Sequence, residues 1–215
     1  MMENISLTEL WKAQNAKLER SLQLNLFLLN SLQKDKAKSK LDKLARFKSF
    51  AVVLGVIWGA FLGVLIYGNQ FSNLYFEVSV IIIFLFNLYA CIAYIRQIHF
   101  IKKLDYSDSV LNTQKKLASL QVSTINTTGV LMLQLPFYTT WFYTHEQVLH
   151  DHRFQLISFT STFIFALIGI WLYRNIHSKN IHKKWLRSFM NVGPEYSSIT
   201  EARDFLSEIE AFQSA

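Results

Sequence analysis

The 215-residue sequence contains one cysteine, Cys91, and two prolines, Pro136 and Pro194. A lone thiol excludes a disulfide framework and a cysteine-rich zinc module. Two prolines exclude a proline-rich adaptor. Charge is also scarce: 17% of residues are Asp, Glu, Lys or Arg, against about a quarter in soluble domains. A disordered chain needs the reverse balance, and here 51% of residues are hydrophobic. The sequence has no Gly-x-Ser-x-Gly elbow and no Cys-x-x-Cys pair. It therefore offers no nucleophile of a familiar kind, and we expect a protein that is not an enzyme and carries no cofactor.

What is present is segregated. Mean hydropathy is only +0.20, yet four apolar stretches stand out, at about 50–67, 74–95, 125–143 and 156–173. Crossing roughly 30 Å of hydrocarbon takes about 20 helical residues. A spanning segment must satisfy its own backbone hydrogen bonds, which a helix does. The expected fold is therefore all-α: an integral membrane four-helix bundle with helical cytoplasmic extensions. The third stretch is the most polar, with Asn126, Thr127, Thr128, Gln134, Pro136, Thr139 and Thr140.

The charges set the orientation. Of the 22 Lys and Arg, 21 lie before the first stretch, between the second and third, or after the fourth. Arg153 alone lies in the remaining two loops. Cytoplasmic segments are enriched in Lys and Arg, so both termini are expected inside, and only four crossings put all three basic segments on one side. No cleavable signal precedes the first stretch. The expected location is a multi-pass protein of the plasma (cell inner) membrane. Its basic face would contact anionic headgroups on the cytoplasmic side. No recognition fold accompanies the charge, which argues against nucleic acid.

The polar parts read as helical and divide the chain into 1–48, a membrane domain at 49–176 and a tail at 177–215. Ser6-Leu7-Thr8-Glu9 is a capping box opening a run without Gly or Pro. Trp11, Asn15, Leu18, Leu22, Asn25, Leu29 and Leu32 follow the 4,3 spacing of a coiled-coil seam. The basic run up to Lys48 has no helix breaker and can continue into the first stretch. Val110, Leu111, Leu117, Ala118 and Leu120 lie near helical spacing in the middle loop. Beyond the fourth stretch, Ile176, Ile181, Trp185 and Phe189 continue a helical pattern to Gly193-Pro194. A last helix is expected from Ser198, with Ala202, Phe205, Ile209 and Phe212 as its apolar set.

Several constellations could carry function. Ala51, Gly55, Gly59 and Gly63 form one small-residue stripe, which lets a second helix approach closely. It serves packing within the chain or between copies in a homo-oligomer. Asn87, Gln134 and Thr160 are polar residues inside stretches, where such groups face the protein interior. Asn87 and Gln134 are expected to bond to each other, with local relief of the backbone freed by Pro136. No charged residue occupies the middle of a stretch, which argues against a proton-coupled pump. His145, His150 and His152, beside Glu146 and Asp151, are metal-ligand types. Their spacing is not that of a zincin, so no metal is expected there. Tyr67, Phe71, Tyr75 and Phe76, and Phe137 to Tyr143, read as interfacial anchors. Cys91 reads as a packing residue.

The leading expectation is an anchor, regulatory or scaffold protein. Its cytoplasmic helices would bind a cytoplasmic partner or another copy through Leu18, Leu22, Leu29 and Leu32. The alternatives are a small oligomeric channel or transporter, with water reaching Asn87, Gln134 and Thr160, and a membrane metalloenzyme using the outer histidines.

Overall fold

A computed structural model describes residues 7–69, 72–104, 110–180, 183–191 and 193–213. Ser6, Phe71 and Ile181, which figure in the sequence patterns, lie outside the described residues, as does the side chain of Phe212. Most of the described residues are helical and none is in a strand: α1 (Leu7–Asn69), α2 (Leu74–Lys102), α3 (Val110–Leu131), α4 (Phe137–Thr140), α5 (His145–His150), α6 (His152–Asn175), α7 (Lys184–Asn191) and α8 (Pro194–Gln213). Three of them, α1, α2 and α6, are long and apolar enough to cross a membrane.

The 63 residues of α1 make one helix, about 95 Å long at 1.5 Å per residue. It is unbroken because no proline and no glycine occurs before Gly55. Its basic segment runs straight into the first apolar stretch. At the far end, the Asn73 side chain caps α2 by accepting from the N–H groups of Tyr75 and Phe76. Beside this turn the Asn69 carboxamide donates to the buried Glu77 carboxylate at 2.8 Å.

The third stretch is not one helix. α3 ends at Leu131, a 3₁₀ turn covers Met132–Gln134, and α4 is a single turn. Pro136 is the cause. It has no N–H to give to the carbonyl four residues back, which is that of Met132. Leu135 N–H bonds to that carbonyl instead, at 3.3 Å. The carbonyl also lies against α6: a Cβ on Gly169 would sit 2.8 Å from it. Glycine at 169 is what allows the broken segment to stay packed.

Despite the break, the segment follows α2 along its length. Gln97 Nε2 donates to Ser123 Oγ at 3.0 Å near one end of α2. Ser79 and Thr140 share a hydrogen bond of 2.7 Å near the other, and Asn73 Nδ2 reaches the Tyr143 carbonyl at 2.6 Å. α6 returns alongside, with Thr139 and Thr162 bonded at 2.7 Å and the Ile176 carbonyl against Gly129.

Packing is concentrated at the basic end. Ala37, Leu41, Leu44 and Ala45 of α1 meet Ile199, Ala202, Leu206 and Ile209 of α8, with Leu117 and Leu120 of α3 closing the cluster. Each such Leu or Ile contributes about 1.5–3 kcal/mol on full burial. α8 begins at Pro194, four residues before Ser198, because proline at the first helical position lacks only an N–H that has no partner there anyway. α7 buries Leu186 and Met190, not the expected Trp185 and Phe189, which are exposed. A 3₁₀ turn at Ser178–Asn180 separates α7 from α6, so the helical register of α6 does not continue into it. Trp185 instead stacks on Trp171, with ring centroids 5.5 Å apart.

Candidate functional site

Lys48 belongs to the buried face of α1, one turn beyond Leu44, and its side chain is 0% exposed. Its Nζ lies 2.6 Å from Glu195 Oε2 and 4.3 Å from the centroid of the Tyr94 ring. Tyr94 donates from its hydroxyl to the second Glu195 oxygen at 2.8 Å. α1, α2 and the first turn of α8 are thus tied at one point, beside the start of the first apolar stretch. Burial pushes the Lys48 ammonium below the usual lysine range, and the Glu195 carboxylate pulls back the other way. The ammonium and the Tyr94 hydroxyl share one carboxylate, which fixes where α8 begins against α1.

From that anchor α8 runs antiparallel to α1. Lys40 pairs with Glu201, Lys36 lies over the Phe205 ring, and Gln33 donates to Glu208. Continued at this register, Gln213 falls opposite Leu28. Toward the N-terminus from there the exposure of α1 changes: every residue from Glu9 to Leu28 is exposed. That includes Trp11 at 67%, Leu18 at 60%, Leu22 at 54% and Phe27 at 69%. Leu32 is exposed and Leu29 half-buried. The result is an arm about 30 Å long, with Trp11, Leu18 and Leu22 on one face and Phe27 on the opposite one, not reached by the other described elements.

The small-residue stripe divides. A Cβ on Gly55 would meet Cys91 Sγ at 2.6 Å, and one on Gly59 would meet Asn87 Nδ2 at 3.0 Å. Both therefore seat α2 within the chain. Ala51 is half-buried, and Gly63 is exposed with nothing within 4 Å of its Cβ position. Asn87 donates to the Gly55 carbonyl at 2.8 Å, not to Gln134. Gln134 sits half-buried in the 3₁₀ turn, where Pro136 rotates it out of the helical register that the pairing required. Thr160 is exposed on α6. The interhelical bonds come from Thr162, two residues on, which meets Thr139 and the Tyr143 hydroxyl.

His145 and His150 are the first and last residues of α5. Five helical residues turn them about 140° apart, and both are exposed. His152 opens α6 and its Nδ1 lies 3.2 Å from Gln155 Oε1. Among the described residues no three potential ligands converge on a metal position. Not all the aromatics are free anchors. Tyr143 is 4% exposed and packs edge-on to Tyr75, Phe154 and Phe159. Tyr67 and Phe142 remain open at 81% and 74%.

Compared with protein-family models, with curated proteins and with solved structures, the chain matches none. The site residues therefore stand on their geometry. Lys48, Tyr94 and Glu195 were not singled out from sequence. The available signal was a lysine in phase with Ala37, Leu41 and Leu44 on an otherwise apolar stripe. Nothing in the sequence marked Glu195 as its partner, because 147 residues separate them.

Proposed function

We propose that the protein is a non-enzymatic, multi-pass membrane anchor that holds an α-helical arm on the cytoplasmic side for a protein partner. The observation that carries this reading is the arm itself. Glu9–Leu28 exposes Trp11, Leu18, Leu22 and Phe27 on the same helix whose next segment is sheathed by α8. Exposed apolar surface of this extent marks an interaction site. Trp11, Leu18 and Leu22 keep the spacing of a helix–helix seam, which suits a helical partner.

The membrane part of the reading has four crossings with both termini inside. The 21-to-1 distribution of Lys and Arg supports it. So does the course of 123–143, which accompanies α2 from Gln97 to Asn73 although Pro136 interrupts its helix. The protein's polar mass would then lie on the cytoplasmic side, with only short turns outside.

Residues 33–48 belong to the packed end, so the informative deletion stops before them. Removing residues 1–28 should leave the folded membrane domain intact and abolish the partner set recovered with the full chain from its native membrane. Copurification and native mass measurement check this. An unchanged partner set and oligomeric state in the shortened protein would refute the arm's role.

A further inference from the structure

Two cavities lie end to end in the crevice between α2 and α3, and Arg96 and Ser123 line both. The smaller, about 180 Å³, is walled by Gln97, Phe100, Ser119 and Leu120. That is roughly ten times the room one water needs. The larger, about 420 Å³, runs toward the middle of the membrane beside Tyr89, Ile92 and Ala93 of α2 and Asn126 of α3. Tyr89 and Ile92 are 41% and 43% exposed, so this cavity opens onto the apolar outer surface. Both cavities mix polar and apolar walls, and Arg96 and Ser123 stand at their junction.

The polar groups are only partly matched. Gln97 is 2% exposed. Its Nε2 donates to Ser123 Oγ at 3.0 Å and to Thr127 Oγ1 at 3.4 Å. Its Oε1 has no donor, and neither has the buried Asn126 Oδ1. A buried acceptor left unpaired is costly and rare. Ser123, already accepting from Gln97, keeps its own proton to give. Arg96 is exposed and pairs with no carboxylate among the described residues. The crevice therefore offers a guanidinium and a hydroxyl to an anion at the junction, and beside them two buried acceptors, Gln97 Oε1 and Asn126 Oδ1, that have no donor.

We propose that this crevice binds one phospholipid of the adjoining leaflet, its phosphate held by Arg96 and Ser123. Its donor-bearing headgroup, amine or hydroxyl, fills the smaller cavity, and its glycerol and upper acyl chains lie beside Tyr89, Ile92 and Ala93. A small turn of the Gln97 carboxamide brings Oε1 to the headgroup N–H or O–H. The guanidinium fork suits the phosphate, and the exposed Tyr89 and Ile92 at the mouth of the larger cavity give acyl chains a surface that a soluble phosphate would not use. The site does not depend on the arm's partner; the topology decides only which leaflet supplies the lipid.

The test uses the full-length protein, delipidated in detergent. Dioleoylphosphatidylglycerol, dioleoylphosphatidylethanolamine, dioleoylphosphatidylcholine or inorganic phosphate is added, and bound lipid is read by native mass spectrometry beside the thermal midpoint. The glycerol and ethanolamine lipids should each give one retained adduct, at least tenfold more abundant than choline, whose headgroup has no N–H or O–H. Arg96→Gln should lose the adduct about tenfold, while Arg174→Gln, at the end of α6, should keep it. Should the Arg96 variant fail to fold, the Ser119→Ala/Ser123→Ala double variant carries the same expectation. Equal retention of phosphatidylcholine would overturn the site, as would an adduct that survives Arg96→Gln. A midpoint rise from inorganic phosphate as large as from lipid would replace the lipid by a soluble anion.

Discussion

At the scale of single residues, Lys48 is the most consequential. Its ammonium is buried and answered by one carboxylate and one ring face. Removing one member of such a pair strands the other, at about 3–5 kcal/mol. Glu195 retains 19% side-chain exposure and the Tyr94 hydroxyl. We therefore expect Lys48→Met to cost about 3 kcal/mol, the lower end of that range, measured by denaturant unfolding in detergent. Adding Glu195→Gln should recover most of it, since neither charge is then stranded and an oxygen remains for Tyr94. The pH dependence follows from the direction of the Lys48 shift. Folded Lys48 releases its proton at lower pH than unfolded lysine. As pH climbs toward the ordinary lysine range the unfolded chain binds more protons, and stability rises. The original protein should show this rise in alkaline melts, and Lys48→Met should lack it.

Glycines rank by what faces them. A methyl at Gly129 would sit 2.5 Å from the Ile176 carbonyl, and one at Gly169 would sit 2.8 Å from that of Met132. Backbone cannot swing aside, so overpacking of about 1–3 kcal/mol applies. At Gly55 the obstacle is the Cys91 thiol, which can rotate, and at Gly63 there is none. Gly63→Ala gains helix propensity of up to about 1 kcal/mol. Thermal unfolding should therefore order the alanine variants Gly129 and Gly169 least stable, Gly55 intermediate, and Gly63 equal to or above the original. A uniform response would mean that the stripe's sequence spacing, not the approach of neighbouring backbone, governs packing.

At the scale of elements, the sequence was readable wherever local pattern decides. The absence of Gly and Pro before residue 55 led to a helix continuing through Lys48, and α1 is continuous. Ala202 and Ile209 pointed to the apolar face of α8, and both are buried there. Patterns failed where tertiary contacts decide. Nothing local distinguishes Gly63 from Gly59; the difference is that Asn87 and Phe84 reach one and no side chain reaches the other. Gly129 and Gly169 carried no repeat to mark them, because each answers a single carbonyl from a distant segment. Pro136 was expected to free a carbonyl. That the helix would give way to a 3₁₀ turn depended on Gly169 accepting the Met132 carbonyl, a contact 37 residues away in sequence. α7 escaped for a related reason: after the 3₁₀ turn at Ser178–Asn180 its phase restarts, and Leu186 replaces Trp185 on the buried side.

At the scale of the whole molecule, the segment 123–143 decides the topology. With four crossings, α5 lies outside and α7 inside. If that segment stayed on the basic side, only α1, α2 and α6 would cross, and both assignments would invert. A single experiment separates them. In a Cys91→Ala background, Gln147→Cys on α5 and Lys179→Cys after α6 are introduced one at a time. Each is exposed to an impermeant maleimide in intact cells. Four crossings require rapid labelling at position 147 and none at 179 until the membrane is permeabilised; three crossings require the opposite. The contacts of Tyr143 favour the first outcome. Its carbonyl is held by Asn73 at the α1–α2 turn, and its hydroxyl is bonded to the Ser158 carbonyl and Thr162. A segment confined to the basic side could not bring residue 143 to that turn, because Asn73 and Arg96 are separated by the whole apolar length of α2.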